Sequence, residues 1–406
     1  MKWNLQLTSV ALLLPMTATL SGYAAVRTGL DRVAEFRHVF SEKRIGIIAN
    51  PSALDSQGRP VAQVFSTLPG AKLVSLFAPE HGWWGAERAG AKVANQRHPT
   101  YQVPVHSLYG LTTKPTPAML DAVDVLVFDI QDVGARFYTY IWTMALAMEA
   151  AAEQGKTFVV LDRPNPIGGL QVQGNLLEQD YASFIGLYPI PVVHGMTVGE
   201  LARMFNGQGW LAGAVEVDLV VVPMEGWTRN MWFDETGLVF RRPSPNMPDL
   251  ETAALYPGMA LLEGTNLSEG RGTTMPFKQF GAPWIDANSL TDGLNRLRLP
   301  GVRFEPTQFT PTHSKHEGLR CFGARIRITD RTQLTSYRSA IRILAEVARQ
   351  YPQLLTWRLD HFNKLCGTRD VHQMILAHGS LDALMARWGN ERRRFLQMRE
   401  RYLLYR

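Results

Sequence analysis

Glu80 stands in Ala78-Pro-Glu-His-Gly-Trp-Trp-Gly85, where one short segment gathers an acid, an imidazole, two indoles and two glycines. Glycines let a loop approach a ligand, and partial burial by Trp83 or Trp84 would raise the carboxyl toward the range a general acid needs. Asp129 and Asp132 follow in Phe128-Asp-Ile-Gln-Asp-Val-Gly134, just ahead of Arg136-Phe-Tyr138. One of the two aspartates either caps the next helix or faces a ligand. Arg136, Arg163 and Arg271 each sit beside glycine, proline or an aromatic ring. A planar guanidinium there can grip a carboxylate with two parallel hydrogen bonds, or serve as an ordinary ion-pair partner. Carboxylates for proton transfer, aromatic faces for a ring and amides for hydroxyl groups are the parts of a sugar site.

Other chemistries have less material. There is no GxGxxG, no GxxxxGK[ST] and no GxSxG, which removes the dinucleotide fingerprint, the phosphate-cradling loop and the common hydrolase elbow. His313 and His316 are three apart in a loop flanked by Pro311 and Gly318, and HExxH is absent. His81 beside the strand-end aspartates leaves a metal-dependent hydrolase as a weaker rival; no metal is expected. His194 before Gly195 reads as a loop or core histidine.

The elements that must carry these residues are short apolar runs. Arg44 to Asn50, Lys72 to Ala78, Val125 to Phe128 and Thr157 to Leu161 are nearly continuous, as parallel strands buried on both faces should be. Amphipathic stretches such as Tyr140 to Gln154 and Val198 to Asn206 read as crossover helices. The alternation predicts a doubly wound, mostly parallel α/β sheet, whose ligands bind beyond the strands' carboxyl ends. Asn50, Glu80, His81, Asp129, Asp132, Asp162, Arg163 and Asn165 all fall at such ends. Val215 to Val222 is a further candidate strand. Arg241 to Thr274 reads as irregular, and its embedded Glu263, Glu269 and Arg271 favour function. From about Trp284 on, helical stretches (Leu290 to Leu297, Leu334 to Ala348, Leu381 to Tyr405) and a strand-like Phe322 to Ile328 predict a smaller α+β domain. We divide the chain into residues 25–250 and 251–406.

The 406 residues carry 42 Lys+Arg against 36 Asp+Glu, a net charge of +6, with 46% hydrophobic residues. That is ample for a globular core, and the positive charge is too dispersed for a nucleic-acid partner. Two cysteines, Cys321 and Cys366, make at most one bridge. Lys2, the apolar run Ser9 to Leu20 broken by Pro15, and small residues from Ser21 to Ala24 read as a cleavable export signal over residues 1–24. No later segment is long and apolar enough to span a membrane. A mildly basic surface suits an anionic substrate or polymer, and the export signal predicts a periplasmic or extracellular location.

Longer motifs carry a resemblance. Ala78-Pro-Glu-His-Gly82, Phe128 to Tyr138 and Leu161-Asp-Arg-Pro-Asn-Pro166 are similar to those of the bacterial family once known only as DUF1343. So are His194-Gly-Met-Thr197, Arg242-Pro-Ser-Pro-Asn246, Tyr256-Pro-Gly258 and Leu262 to Thr273. The resemblance runs from about residue 28 to the closing Tyr402-Leu-Leu-Tyr405. That family contains the exo-β-N-acetylmuramidases called NamZ. The resemblance implies a Rossmann-like catalytic domain with a smaller C-terminal domain closing the cleft. The implied reaction is removal of N-acetylmuramic acid from the non-reducing end of peptidoglycan-derived muropeptides or MurNAc-GlcNAc fragments, with no cofactor. It places the general acid/base at Glu80, with His81 as its partner. Glu269 is then the second carboxylate or a substrate-binding group, and Arg271 the partner of the lactyl carboxylate. Asp129, Asp132, Arg163, Asn165, Arg136 and Asn266 complete the implied binding set. An exported sugar-binding protein using the same cleft without hydrolysis is the alternative.

Overall fold

The computed structural model describes residues 25–406; the expected export signal lies outside the described residues. Seven strands form the main sheet: β1 (Lys43–Ala49), β2 (Ala71–Ala78), β3 (Gln96–Arg97), β4 (Pro104–Ser107), β5 (Val125–Asp129), β6 (Thr157–Leu161) and, after a separate hairpin, β9 (Leu219–Val222). Their order is β3-β4-β2-β1-β5-β6-β9, every neighbouring pair being parallel except β3 with β4. The chain therefore winds one way from β1 through β2 and the other way from β5, as a doubly wound sheet does.

Side-chain alternation explains why helices must cover both faces. Ile45, Ile47, Val125, Val127, Val159 and Leu161 join the core on one side, whereas Ile48, Leu126, Phe128, Phe158 and Val160 join the core on the other. Each such side chain is fully or nearly fully buried, worth about 1.5–3 kcal/mol of transfer free energy. Helix Tyr140–Glu153 is apolar nearly all round because it is itself buried between the sheet and the C-terminal half.

The hairpin is β7 (Gln173–Leu176) with β8 (Pro191–Val193). The C-terminal half is built on an antiparallel sheet of β10 (Gln279–Ala282), β11 (Val302–Phe309) and β12 (Cys321–Ile328) in the order β10-β12-β11. Helices Ala287–Arg296 and Ser336–Gln350 pack with it, and its core runs without a break into one face of the main sheet.

Three departures from the sequence reading have physical causes. The strand expected over residues 215–222 is only Leu219–Val222, because the Asn206 side chain takes both backbone groups of Val217, accepting from its N–H at 3.0 Å and donating to its carbonyl at 3.1 Å. The stretch expected to be irregular over 241–274 contains helix Leu250–Met259, capped by Asp249 accepting from Thr252 N–H at 2.9 Å. Pro257 and Gly258 disguise it, but its residues from Thr252 on are buried and tertiary packing outweighs propensity. The last helix stops at Arg399, and Leu403–Arg406 leave it as a tail that docks on the main sheet. There Tyr405 Oη donates to Asp162 Oδ2 at 2.6 Å, and Leu404 N–H to Glu200 Oε1 at 2.9 Å. Cys321 and Cys366 are separate buried thiols, not a bridge. Burial pushes them up to about 11 and about 12. Among the described residues no helix is long and apolar enough to cross a membrane.

Candidate active site

Glu80 leaves the end of β2 through Pro79, and the chain then reverses sharply, with His81 at φ 70° and Gly82 at φ 78°. Glycine takes the second left-handed position without a Cβ penalty, while His81 bears that strain. The turn is held from both sides: His81 Nδ1 bonds the Glu87 carbonyl at 2.7 Å, and Glu87 N–H donates to the His81 carbonyl at 3.2 Å. A carbonyl only accepts, so His81 carries its proton on Nδ1 and leaves Nε2 free.

The Glu80 carboxyl is gripped at both oxygens. Gly90 N–H donates to Oε1 at 2.9 Å and the Thr139 hydroxyl to Oε2 at 2.8 Å. Thr139 occupies the N-cap of helix Tyr140–Glu153, yet its hydroxyl makes no cap bond and serves Glu80 instead. A hydroxyl both donates and accepts, so Thr139 can hold Glu80 protonated or ionised. Tyr109, at the end of β4, also reaches the carboxyl; burial first and then Glu80 push its phenol up to about 12, so it stays a donor.

Glu80 and His81 line a narrow inner cavity of about 50 Å³ walled by Tyr138, Tyr140, Tyr256 and Phe277. Among the described residues Glu80 is the one carboxylate on that wall. Tyr138 Oη is buried without a well-aligned hydrogen bond, with the Ser244 hydroxyl in its neighbourhood. A buried orphan hydroxyl on a cavity wall is a place for a ligand's polar group.

Arg271 enters from the C-terminal half. Its Nη2 donates to Glu263 Oε1 at 2.9 Å, its Nε lies 3.7 Å from Glu269 Oε1, and the guanidinium covers the Phe277 ring at 5.2 Å. Burial opposes its charge, but Glu263 and Glu269 outweigh burial and hold it above the ordinary arginine range. Arg271, Ala89 and Asn246 are shared between the inner cavity and a groove of about 740 Å³ outside it. The site is thus a groove meeting an aromatic-walled cavity, with one acid on the cavity wall and one cation where the two meet.

The structure does not bring the other expected residues to this cavity. Glu269 is 1% exposed and lies behind Arg271, with Lys315 Nζ 3.0 Å from Oε2 as an ion pair. Asp129 and Arg163 pair face to face at 2.5 and 2.9 Å, and Arg163 lines a different cavity at the ends of β1, β5 and β6. Asn165 Nδ2 donates to the Met196 carbonyl at 3.0 Å, and its Oδ1 packs on Gly134, where an added Cβ would come within 2.6 Å. Asp132 is buried, accepts from Gly134 N–H at 2.7 Å and lies 3.3 Å from His194 Nε2; His194 itself is wholly buried, a core histidine. Arg136 is wholly buried, donating to the carbonyls of Asn175, Ile190, Leu365 and Cys366. Asn266 bonds Leu354 O and Thr356 N, tying two loops of the C-terminal half. The indoles do not shield Glu80 either: Trp83 packs with the sheet core and Trp84 is 46% exposed, stacked on His98.

Thr139, Tyr109 and Gly90 are the functional neighbours that sequence reasoning missed. Thr139 adjoins the quoted Phe128 to Tyr138 motif and Tyr109 follows a strand, which are signals; Gly90 carries none.

Fold and site together define a doubly wound α/β protein with an acid-bearing cavity, walled in part by a second, antiparallel-sheet domain. The chain belongs to the NamZ family. The model described as exo-beta-N-acetylmuramidase NamZ, N-terminal, matches residues 45–251, and the corresponding C-terminal model matches residues 254–405. The chain is 45% identical over 382 residues to the peptidoglycan beta-N-acetylmuramidase NamZ of Bacillus subtilis (strain 168), spanning 94% of this chain and 91% of that protein. It is similar to two crystal structures of DUF1343 family proteins from Bacteroides fragilis NCTC 9343. One matches with a TM-score of 0.88 at 37% identity and the other with 0.77 at 32%, each covering 94% of this chain and 99% of the other.

Proposed function

We propose that this protein is an exo-acting β-N-acetylmuramidase that hydrolyses terminal non-reducing N-acetylmuramic acid from peptidoglycan fragments. The observation that carries the reading is the acid-bearing cavity: one carboxylate, Glu80, on its wall and one guanidinium, Arg271, shared with the groove outside it. Exo action is that of the family to which the chain belongs, whose models match residues 45–251 and 254–405. Glu80 in its protonated form donates to the glycosidic oxygen as the bond to the anomeric carbon breaks. Thr139 and the Gly90 amide fix the acid's orientation, so little reorganisation accompanies proton transfer. Arg271, whose Nη2 is held by Glu263, offers Nη1, which makes no hydrogen bond among the described residues, to the lactyl carboxylate that distinguishes muramic acid from glucosamine. Among the described residues no second carboxylate lines the inner cavity, so attack falls to water or to the substrate's own acetamido oxygen.

Export to the compartment of the wall belongs to the same reading. Lys2, the apolar run to Leu20 and the small residues at Ser21 to Ala24 support an N-terminal signal removed near Ala25.

The test is to incubate the purified protein and its Glu80→Gln variant with a chromogenic β-N-acetylmuramide and its N-acetylglucosaminide counterpart. Release from the muramide alone is expected, with the variant slower by about a hundredfold or more. Tight binding of muramic acid without cleavage of either compound would instead make the protein a sugar-binding one. Cleavage that Glu80→Gln leaves intact would remove Glu80 as the acid.

A further inference from the structure

The outer groove differs in charge from the cavity it leads to. Its walls carry Arg88, Arg242, Arg271 and His313 against a single carboxylate, Glu87. Arg271 already has Glu263 and Glu269 as partners. Arg88 and Arg242 are different: both are exposed, and neither side chain makes an ion pair or hydrogen bond among the described residues. They stand on separate segments, one on the loop after Glu80 and the other on the strip that runs into Ser244 and Asn246 at the cavity mouth. Two unpaired guanidiniums lining one groove give it a positive potential that favours an anion. Thr273 and Asn246 add hydroxyl and amide groups, and Pro245 and Pro276 add flat apolar faces, the surfaces a saccharide contacts. The volume, about 740 Å³, falls in the ordinary range of ligand sites.

We propose that this groove is the leaving-group side of the site, and that Arg88 and Arg242 bind a carboxylate carried by the departing oligosaccharide. The inference rests on the muramidase reading and goes beyond it. With the terminal sugar against Glu80, a glycan alternating two hexosamines places its next muramic acid on the leaving chain. That sugar presents a free lactyl carboxylate, or the carboxylates of a peptide stem attached there. The protein then prefers a longer anionic leaving chain over a short neutral one.

The experiment compares three substrates with the full-length protein and its Arg88→Ala, Arg242→Ala and double variants. They are the MurNAc-GlcNAc disaccharide, the peptide-free tetrasaccharide of the same repeat, and that tetrasaccharide bearing a peptide stem on its second muramic acid alone. The native protein is expected to favour a tetrasaccharide over the disaccharide by about tenfold in kcat/KM. Each alanine should reduce that preference by about three- to fivefold through KM, the range of a partly exposed ion pair, with kcat on the tetrasaccharide held within about twofold. Sodium chloride at about 0.5 M should erode the preference in the native protein as the double variant does. Preference for the peptide-free tetrasaccharide identifies the lactyl carboxylate as the partner, and preference confined to the peptide-bearing one identifies the stem. A preference that survives the double variant and high salt would overturn the proposal. Failure to cleave even the disaccharide would instead overturn the muramidase reading beneath it.

Discussion

Arg136 lies in the motif that resembles a substrate-binding segment, yet its geometry is that of a strut between the two halves of the chain. Nη1 donates to Asn175 O at 3.1 Å and Ile190 O at 2.9 Å. Nη2 donates to Leu365 O at 3.2 Å and Cys366 O at 2.7 Å, the last carbonyls of helix Leu359–Cys366, where a cation is also favoured by the helix dipole. The Arg136→Met substitution keeps the length and apolar stem and removes every donor. Cys366 O retains the Asn175 Nδ2 bond, so three buried carbonyls are left without the guanidinium, at about 1–3 kcal/mol each. Against this stands the relief of burying a charge. Burial lowers Arg136 from 12.5 to about 10, a cost of about 3 kcal/mol that methionine does not bear. The net loss is then on the order of 3 kcal/mol, or a fall in Tm of about 6 °C at about 2 °C per kcal/mol for a chain of this size.

The assay is a thermal melt alongside KM and kcat on the chromogenic muramide well below the new Tm. The strut reading requires the melt to move and KM to stay within about twofold. A melt unchanged within about 1 °C, with KM raised more than about tenfold, would refute it and return Arg136 to the substrate.

Two further expectations follow from buried carboxyls. Asp162 receives Gly199 N–H, the Thr197 hydroxyl and the Tyr405 hydroxyl, but burial outweighs them and raises it from 3.8 to about 7. A raised carboxyl stabilises the fold fully below about pH 4, and that contribution is lost as pH climbs through about 7. Relative to the native protein, Asp162→Asn should therefore gain about 2–3 kcal/mol between pH 5 and pH 8 in denaturant titrations; a difference independent of pH would contradict the assignment. Glu269→Gln leaves Lys315 without its buried counter-charge and Arg271 with Glu263 alone, so the melt should fall and KM should rise while kcat drops less than about tenfold. A loss of kcat of about a thousandfold, restored by azide, would make Glu269 the nucleophile instead.

The central strands were legible because burial on both faces writes itself as continuous β-branched runs. Thr157–Leu161 coincides with the expected run, and β1, β2 and β5 differ from theirs by a residue or so. Glu80 was legible through the Ala78-Pro-Glu-His-Gly82 motif and not through its strand-end place, since Asp162 follows a buried strand more closely and is spent on structural hydrogen bonds. The neighbours of Glu80 were not, because Tyr109, Gly90 and Thr139 reach it from three separate segments and only the tertiary fold assembles them. The arginines show the limit of local context. Glycine and aromatic neighbours surround Arg136, which caps carbonyls, as they do Arg271, which faces the cavity; composition cannot separate the two uses of a guanidinium.

The position of the cavity also has a physical cause. In a doubly wound sheet the ligand crevice forms where the winding reverses, here between β1 and β5. This chain stitches that crevice together. Asn50 Oδ1 accepts from Ser52, Ser52 Oγ from Gln131 N–H, and the Gln131 amide bonds the Asp132 and Pro164 carbonyls, while Arg163 pairs with Asp129 beside them. Asn50 Nδ2 and Tyr140 Oη both donate to the Pro243 carbonyl, at 3.0 and 2.8 Å. Those two bonds draw the strip ahead of Ser244 and Asn246 down over the sheet beside Glu80. The strand-end polar residues that looked like a substrate-binding set are thus the fastening that lets the second half of the chain roof the end of β2. The cavity consequently takes its carboxylate from one half and its guanidinium from the other.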